Sequence, residues 1–374
     1  MLKVAIVSPM SFTTDSRSIA SVERLTSQLV DGLISQGDIE VTLFASGDSQ
    51  TSAKLVPTIE KAFNRYGNPG FAAATENTVK EVLKRAKAFD VIHSHFHAKP
   101  TAKMVGQHGV PVLNTLHEHI MSSNPKKNPT RLIDYASIPY ITPISDSMRI
   151  PHPSINYTAT VYNGLNIEEF PFVSIPKGDE KGEYWFFMGR IHPEKGVYYA
   201  IRTALRHNRR LIIAGLKSNS KRRYFNEMIR PYLGEQIQYI GTLKPEGSER
   251  AQYMGNASLV LLPSCCDEAF GLVTVEALLC GTPILGTRRG AFPEIVAHGQ
   301  TGYLAESNGS SVNEEELFSY ALEAEALDRR TCRKSVEKKF TIEKMTQGYV
   351  GIYNAIVKES KGITPHRTQK SVRN

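Results

Sequence analysis

Residues 259–287 read LVLLPSCCDEAFGLVTVEALLCGTPILGT, and this stretch contains the alternation that decides the fold. The apolar run Leu259–Leu262 predicts a buried strand, and the run Pro283–Thr287 predicts a second one. A polar loop and a helix-like stretch lie between them, which is typical of a parallel strand–helix–strand unit. Glu268 falls in the loop after the first strand, and Glu276 falls about one turn into the helix.

Apolar runs of the same kind recur along the chain, separated by stretches with helical periodicity. They lie at 3–7, 40–45, 90–94, 111–115, 140–144, 184–188, 211–214 and 237–240. Continuous apolar runs are typical of parallel strands that are covered on both faces. Two series of strands and helices therefore predict an α/β protein with two doubly wound, Rossmann-like domains.

The stretch 170–183, rich in Pro, Gly and charge, is the natural hinge between these domains. We expect an N-terminal Rossmann-like domain over 1–169 and a C-terminal one over 170–340. A helix near 341–357 is predicted to cross back to the first domain. The basic residues 358–374 are predicted to form a disordered tail.

Composition excludes several classes of protein. The chain has 374 residues, of which 41% are hydrophobic, so two domains can each form a packed core. No apolar run approaches the roughly 18 residues that a transmembrane segment needs, and the start does not resemble a signal peptide, so we expect a cytoplasmic protein. The first strand is followed neither by a P-loop nor by G-x-G-x-x-G, which argues against those nucleotide-binding classes.

The formal net charge of +8 is concentrated in two regions. Residues 201–250 contain eleven Lys and Arg against four Asp and Glu, and residues 358–374 contain five against one. Such a surplus is compatible with an anionic membrane surface or a nucleic acid as partner, and equally with a merely soluble surface. Peripheral contact with the inner face of a membrane is one of these alternatives.

Two cations follow another predicted strand, in the sequence Gly189-Arg-Ile-His-Pro-Glu-Lys-Gly196. Carboxyl ends of parallel strands are where such folds bind ligands. A planar guanidinium at Arg190 and a compact ammonium at Lys195, fixed around a Pro turn, suit a diphosphate. The alternative is a surface Arg and Lys that flank a turn.

The carboxylates of the opening stretch suit sugar hydroxyls. Glu268 and Glu276 can each accept two hydroxyl groups, one set from a ribose and the other from a hexose. Gly271 lets the backbone approach a ligand, and the N–H groups at a helix start favour phosphate. The alternative is that both glutamates cap or decorate one helix.

The combined pattern Gly-Arg-x₄-Lys-Gly, then Glu-x-Phe-Gly-x₄-Glu-Ala, resembles the retaining nucleotide-sugar glycosyltransferases of the family-4 type. The resemblance covers about residues 1–357. It implies the GT-B fold, in which two Rossmann-like domains face each other across a cleft. It also implies that the domain over 1–169 binds the acceptor and that the domain over 170–340 binds the nucleotide-sugar donor. Further matching segments lie at 90–95, 114–117, 144–146, 161–166 and 290–294.

The resemblance also implies roles for individual residues. Arg190 and Lys195 match the pair that binds the diphosphate, and Glu276 matches the residue that holds the ribose hydroxyls. Glu268 matches the residue near the hydroxyls of the donor sugar. His117 corresponds to the histidine that lines the reaction centre from the N-terminal domain.

Backbone amides near Phe270, Gly271 and Leu272 are likewise implied to contact sugar and phosphate. One segment departs from the family: where its members usually have Gly-Gly-x-Glu, this chain has Ala20-Ser21-Val-Glu23. The added side chains narrow the approach of a donor phosphate, although small residues still fit and the Ser21 hydroxyl can donate a hydrogen bond.

No cofactor is expected, and no metal. His93, His95 and His97 alternate, so an extended segment would place them on one face as candidate metal ligands. No carboxylate or cysteine is spaced with them, which favours a structural role or contact with an acceptor.

The resemblance therefore implies a retaining hexosyltransferase that uses a nucleotide-sugar donor such as a UDP- or GDP-hexose, and we expect it to need no metal. The acceptor is not specified: a sugar, a lipid-linked glycan, a natural product or a nucleic acid all remain open. Two alternatives also remain open. One is a nucleotide-sugar epimerase or hydrolase on the same fold, and the other is a non-catalytic module that binds nucleotide sugars or nucleic acid.

Overall fold

A computed structural model describes residues 1–65, 67–106, 108–120, 134–244 and 248–362. The chain divides into two compact units, each assembled from separate segments. The first unit consists of Met1–Pro143, Pro153–Val161 and the described residues from Met345 onward. The second unit consists of Ile144–His152 and Tyr162–Lys344.

The first unit contains a six-stranded parallel sheet with the strand order β3-β2-β1-β4-β5-β6. The strands are β1 (Leu2–Val7), β2 (Ile39–Ser46), β3 (Lys54–Ile59), β4 (Val91–Ser94), β5 (Val112–Leu116) and β6 (Tyr140–Pro143). The helices of this part are α1 (Ser21–Ser35), α2 (Phe71–Arg85) and α3 (Ala98–Ala102).

Both faces of this sheet are covered, as the continuous apolar runs predict. Val4 and Ile6 of β1 pack in one core with α1, whereas Ala5 and Val7 pack in another core with α2. Successive side chains of a strand point to opposite faces, so a strand covered on both sides must be apolar throughout.

The second unit repeats this architecture. Its strands are β7 (Trp185–Met188), β8 (Leu211–Ala214), β9 (Ile237–Gly241), β10 (Leu259–Leu262), β11 (Ile284–Thr287) and β12 (Gly302–Ala305). Its helices are α4 (Val197–Arg206), α5 (Glu249–Asn256), α6 (Leu272–Leu279), α7 (Phe292–Ile295), α8 (Glu314–Glu325) and α9 (Arg329–Val336). An irregular run of short helical turns covers 219–232.

Helix α10 (Ile342–Ser360) begins in the second unit and belongs to the first from Met345 onward. Its apolar stripe is buried in the core formed by β1, β2 and α1. The stripe consists of Met345, Tyr349, Ile352, Tyr353 and Ile356. Residues 363–374 of the predicted tail lie outside the described residues. No helix in the part of the chain described here is long and apolar enough to cross a membrane.

The predicted α/β class with two doubly wound sheets is confirmed. All ten predicted strands match observed strands to within one residue at either end. The two strands that the sequence did not reveal, β3 and β12, are both edge strands. Lys54 and Pro57 of β3 are exposed, and an edge strand tolerates a proline because one side of its backbone needs no partner.

The strand order explains where ligands bind in each unit. The second sheet has the order β12-β11-β10-β7-β8-β9, which is the same arrangement as in the first when counted from β7. The order reverses between β1 and β4 in the first unit and between β7 and β10 in the second. Ligands of such sheets bind outside the carboxyl ends of the strands at this reversal.

At the reversal in the second unit, the loop after β7 and the loop after β10 are in close contact at Gly196. It lies between β7 and α4 at φ +71°, and a Cβ there would stand 1.8 Å from the carbonyl oxygen of Pro263, which follows β10. Gly241 has a similar φ of +84° but open space around its Cβ position.

We therefore expect Gly196→Ala to destabilise the second unit far more than Gly241→Ala. The control, Gly241→Ala, carries only the cost of a left-handed backbone conformation, about 1 kcal/mol. Gly196→Ala must also displace the backbone of Pro263, which adds at least about 2 kcal/mol. Denaturant unfolding followed by fluorescence of the single Trp185 measures both values. Equal destabilisation would show that the contact between these two loops is not tight.

Candidate functional site

The two predicted cations lie on a tight turn directly after β7. The Gly189 N–H donates to the Ala214 carbonyl at 3.0 Å, which carries the β7–β8 pairing to the end of the strand. Arg190 follows and is exposed. Lys195 ends a single helical turn in which the His192 imidazole accepts a hydrogen bond from the Glu194 N–H at 3.3 Å.

Lys195 forms an ion pair with Glu268, so two segments 73 residues apart meet here. The side chains are 19% and 17% exposed, respectively. The Ser264 hydroxyl donates to the same Glu268 oxygen at 3.3 Å. A cation and an acceptor group thus stand together at the carboxyl ends of β7 and β10, as the sequence pattern predicts.

The backbone at Glu268 is held by the loop before α7. Its carbonyl accepts from the Ala291 N–H at 2.8 Å, and Asp267 accepts from Arg289 at 3.0 Å. A Cβ at Gly290 would lie 2.3 Å from backbone atoms of Glu268. These contacts fix the position of the Glu268 carboxylate relative to the end of β10.

The segment after Glu268 turns into α6. Gly271 has φ +87° and precedes the first helical residue, Leu272, and both are partly exposed. Phe270 is buried, with its ring centroid 5.5 Å from that of Phe340 and 6.2 Å from that of Tyr162. The buried ring anchors the turn, while the backbone of the next two residues stays accessible.

Glu276 occupies a different environment from Glu268. It is fully buried on α6 and forms an ion pair with Arg250 of α5, whose side chain is 9% exposed. The Arg250 contact uses Oε2, and Oε1 of Glu276 is buried without a hydrogen-bond partner. A buried carboxylate requires such a cation, because an unpaired charge is costly away from water.

Arg250 is a site residue that the sequence did not reveal. It lies in the basic region 201–250, where a charged side chain on a helix indicates a solvated surface. Only the packing of α5 against α6 brings it to Glu276. No spacing motif links the two positions.

The reversal point of the first unit carries a group of stacked histidines. Nδ1 of His95 and Nε2 of His117 are 2.8 Å apart and share one proton in a hydrogen bond. The ring of His93 lies tilted by 36° against that of His95, with a centroid distance of 4.3 Å. His93 in turn bonds to the Tyr353 hydroxyl of α10 at 2.7 Å and to the Thr115 hydroxyl at 2.6 Å.

Burial makes these imidazoles poor bases. Desolvation lowers the pKa of His93 and of His117 from 6.5 to about 3, and lowers that of His95 well below 6.5. His97 lies beyond the end of β4, is exposed, and contacts Glu118 at 3.3 Å. Among the described residues no group of three His, Cys, Asp or Glu side chains is arranged to hold a metal ion.

The segment that departs from the family lies at the start of α1. Ala20 is buried at the N-cap position, and Ser21 is exposed and makes no capping hydrogen bond. Glu23 is buried and accepts a hydrogen bond from the Phe12 N–H at 3.3 Å. Burial raises the pKa of Glu23 to about 7.

We expect Arg250→Met to destabilise the second unit by about 3–5 kcal/mol, because Glu276 would keep a buried charge without a partner. The double variant Arg250→Met/Glu276→Met removes both charges, so it should recover most of this loss. Trp185 fluorescence in urea measures each free energy of unfolding. A double variant less stable than the single one would show that the pair itself stabilises the unit.

We also expect His93 and His95 to stay neutral down to pH 5. Because their folded pKa values are lowered, the unfolded chain binds protons first as the pH falls below 6.5, and their contribution to stability is lost between pH 6.5 and about 3. NMR of imidazole Cε1 protons tests this, with the acid-unfolded chain as reference. Titration of either signal near pH 6.5 would contradict buried, neutral rings.

Two family models of glycosyltransferases match successive parts of the chain. A family model described as "Glycosyltransferase Family 4" matches residues 22–168, and one described as "Glycosyl transferases group 1" matches residues 171–339. A D-inositol 3-phosphate glycosyltransferase from Pseudarthrobacter chlorophenolicus is 26% identical over a 274-residue alignment, and the alignment covers 64% of this chain and 64% of that one. This chain aligns with 29% to 64% of the length of three curated relatives, of which this enzyme is one.

Solved structures agree on the fold. Sucrose-phosphate synthase from Thermosynechococcus elongatus superposes with a TM-score of 0.77 at 17% identity, covering 96% of this chain and 100% of that one. Anabaena Alr3699/HepE in complex with UDP-glucose gives 0.69 at 15% identity, with coverage of 95% and 100%. With two parallel sheets of matching strand order and both family models on one chain, this protein belongs to the family-4 type glycosyltransferases of the GT-B fold.

Proposed function

We propose that the protein is a retaining glycosyltransferase that moves a hexose from a nucleotide-diphosphate sugar to an acceptor hydroxyl. The observation that carries this proposal is the meeting of Lys195 and Glu268 beside the start of α6. It supplies a cation for phosphate and an acceptor group for hydroxyls within one contact. A neighbour of the same fold is bound to UDP-glucose, which supports a donor of this class.

Lys195 and Arg190 would stabilise the leaving diphosphate. Negative charge grows on the diphosphate as its bond to the sugar breaks, and fixed cations lower the energy of that state more than that of the bound donor. Arg190 is exposed and has no ion-pair partner among the described residues, so its guanidinium is available to phosphate oxygens. Glu268 would then turn from Lys195 to the hydroxyls of the donor sugar.

Glu276 would hold the ribose. Arg250 engages one carboxylate oxygen, which fixes the group in place and leaves Oε1 as an acceptor for a ligand hydroxyl. The accessible backbone of Gly271 and Leu272 at the start of α6 suits phosphate or sugar oxygens. The unpartnered oxygen is what distinguishes a ligand site from an ordinary buried ion pair.

The chemistry of the proposal is a front-face substitution. The bond between sugar C1 and the diphosphate oxygen breaks as C1 develops oxocarbenium character, and the acceptor oxygen bonds to C1 from the same side. The acceptor proton passes to the leaving phosphate oxygen, so no separate base or metal is needed. His117, neutral through burial, would line the reaction centre without adding a positive charge to it.

The acceptor remains the open part of the proposal. One relative is named for D-inositol 3-phosphate, which makes a small polyol phosphate a natural first compound to test. A cytoplasmic location, with peripheral contact to an anionic membrane surface, is proposed on the basis of the basic surplus in 201–250.

Donor chemistry can be tested without knowing the acceptor. We expect slow hydrolysis of one of a panel of UDP-, GDP- and ADP-hexoses, and ¹H NMR should show hexose first released with the anomeric configuration of the donor. Lys195→Met should lower this rate on the order of 10²–10³-fold, whereas the exposed Lys338→Met should leave it unchanged. First release of the opposite anomer would exclude a retaining reaction.

Glu276→Gln should weaken donor binding rather than the chemical step, because it alters an oxygen remote from C1. Thermal unfolding with a saturating donor reports this, since a ligand at 100 times its dissociation constant adds roughly 2.7 kcal/mol of stability.

Fast donor turnover that no added hydroxyl compound accelerates would favour the epimerase or hydrolase alternative.

A further inference from the structure

A basic cavity lies beside the candidate donor site, in the second unit. It has a volume of about 380 Å³ and opens between the loop after β8 and the irregular helical turns at 219–232. It is lined by Lys217, Ser218, Arg222, Phe225, Asn226 and Arg230. None of the residues assigned to the donor belongs to this set.

Among the described residues, the three cations of this cavity have no carboxylate partner, whereas several neighbouring cations do. Elsewhere in the basic region, Arg202 pairs with Glu314, Arg209 with Glu325, Arg210 with Asp179 and Arg223 with Glu227, at 2.7 to 2.8 Å. Within the described part of the chain, Lys217, Arg222 and Arg230 form no such pair, and no acidic residue lines the cavity. Three unpaired cations of the basic region 201–250 therefore share this cavity.

The helical turns aim the charged groups into one space. Arg222, Asn226 and Arg230 recur at every fourth residue, which places them along one side of the run. The Lys217 ammonium lies 4.5 Å from the ring centroid of Phe225, a cation–π contact that holds it at the cavity. Three cations that line one cavity repel one another, and an anion bound among them would relieve that repulsion.

We propose that this cavity binds the phosphate group of an anionic ligand. Two guanidiniums, an ammonium, a hydroxyl and an amide offer hydrogen-bond donors, and arginine binds phosphate through two parallel hydrogen bonds. The cavity is larger than one phosphate ion, so it has room for a further group of the ligand. A phosphorylated small molecule and the headgroup of an anionic lipid share this chemistry, and Leu216, 56% exposed beside Lys217, would contact the acyl region in the second case.

The cavity is linked to the candidate donor site through the backbone. The Leu216 carbonyl accepts from the Ile191 N–H at 3.0 Å, and a Cβ at Gly215 would stand 1.7 Å from the Gly189 carbonyl oxygen. The loop that carries Lys217 is thus packed directly on the loop that carries Arg190. The proposal concerns binding alone and does not depend on the glycosyltransferase reaction.

The test compares two double variants of the full chain that lose the same charge from the same region. Arg222→Gln/Arg230→Gln removes two cations of the cavity, and Arg206→Gln/Arg223→Gln removes two exposed cations outside it. All four side chains are exposed, so the thermal unfolding midpoints should stay close to that of the unaltered protein.

Two probes distinguish the sources of phosphate. Isothermal titration with glycerol 1-phosphate reports a soluble ligand, and sedimentation with phosphatidylcholine vesicles with and without phosphatidylglycerol reports a headgroup. We expect the cavity variant to bind one of these probes at least 10-fold more weakly than the unaltered protein, and the control variant less than 2-fold more weakly.

Each other outcome overturns the proposal. Equal weakening in both variants would show a diffuse charge effect without a site. Absence of binding to either probe by the unaltered protein would show that the cavity does not take phosphate. Preference for a single-stranded oligonucleotide over both probes, lost only in the cavity variant, would assign the surface to nucleic acid instead.

Discussion

The reversal of strand order between β7 and β10 is the constraint on which the candidate site depends. Parallel strands on either side of the reversal end at the same edge, and their loops leave in opposite directions, so a gap opens between them. Arg190 and Lys195 follow one strand, and Glu268 follows the other. The close approach of Gly196 to Pro263 shows how little freedom these loops have. Residues distant in sequence therefore meet without any local motif joining them.

The buried charge of Glu276 is the second constraint on the candidate site. Glu276 lies on a helix packed inside the unit, and such a carboxylate persists only with a cation beside it. Arg250 meets that need through one oxygen and leaves the other without a partner. If both carboxylate oxygens of Glu276 had hydrogen-bond partners within the protein, the unit would be more stable, but neither oxygen could accept a hydrogen bond from a ligand hydroxyl. In the donor site proposed above, Oε1 of Glu276 would be the oxygen that accepts the ligand hydroxyl.

Sequence reasoning succeeded where a physical rule has a local signature. Strands covered on both faces must be apolar throughout, so ten of them could be located from the sequence, while the edge strands β3 and β12 carry a weaker signal. Lys195 and Glu268 were found because each follows such a strand. Arg250 was missed because the packing of two helices brings it to Glu276. The contacts of His93 were missed because Tyr353, which bonds to it, lies far away in the sequence.

The same limit applies to charge. A count over 201–250 gives a surplus but does not distinguish cations that carboxylates neutralise from those that remain free. The structure makes this distinction: Arg202, Arg209 and Arg210 have acidic partners, whereas the three cations of the cavity have none among the described residues. Electrostatic attraction of an anion depends on that local excess rather than on net charge, since paired charges largely cancel beyond about one Debye length, roughly 8–10 Å. Three of the unpaired cations of the basic region thus act together at one cavity, beside the loop that would bind the donor diphosphate.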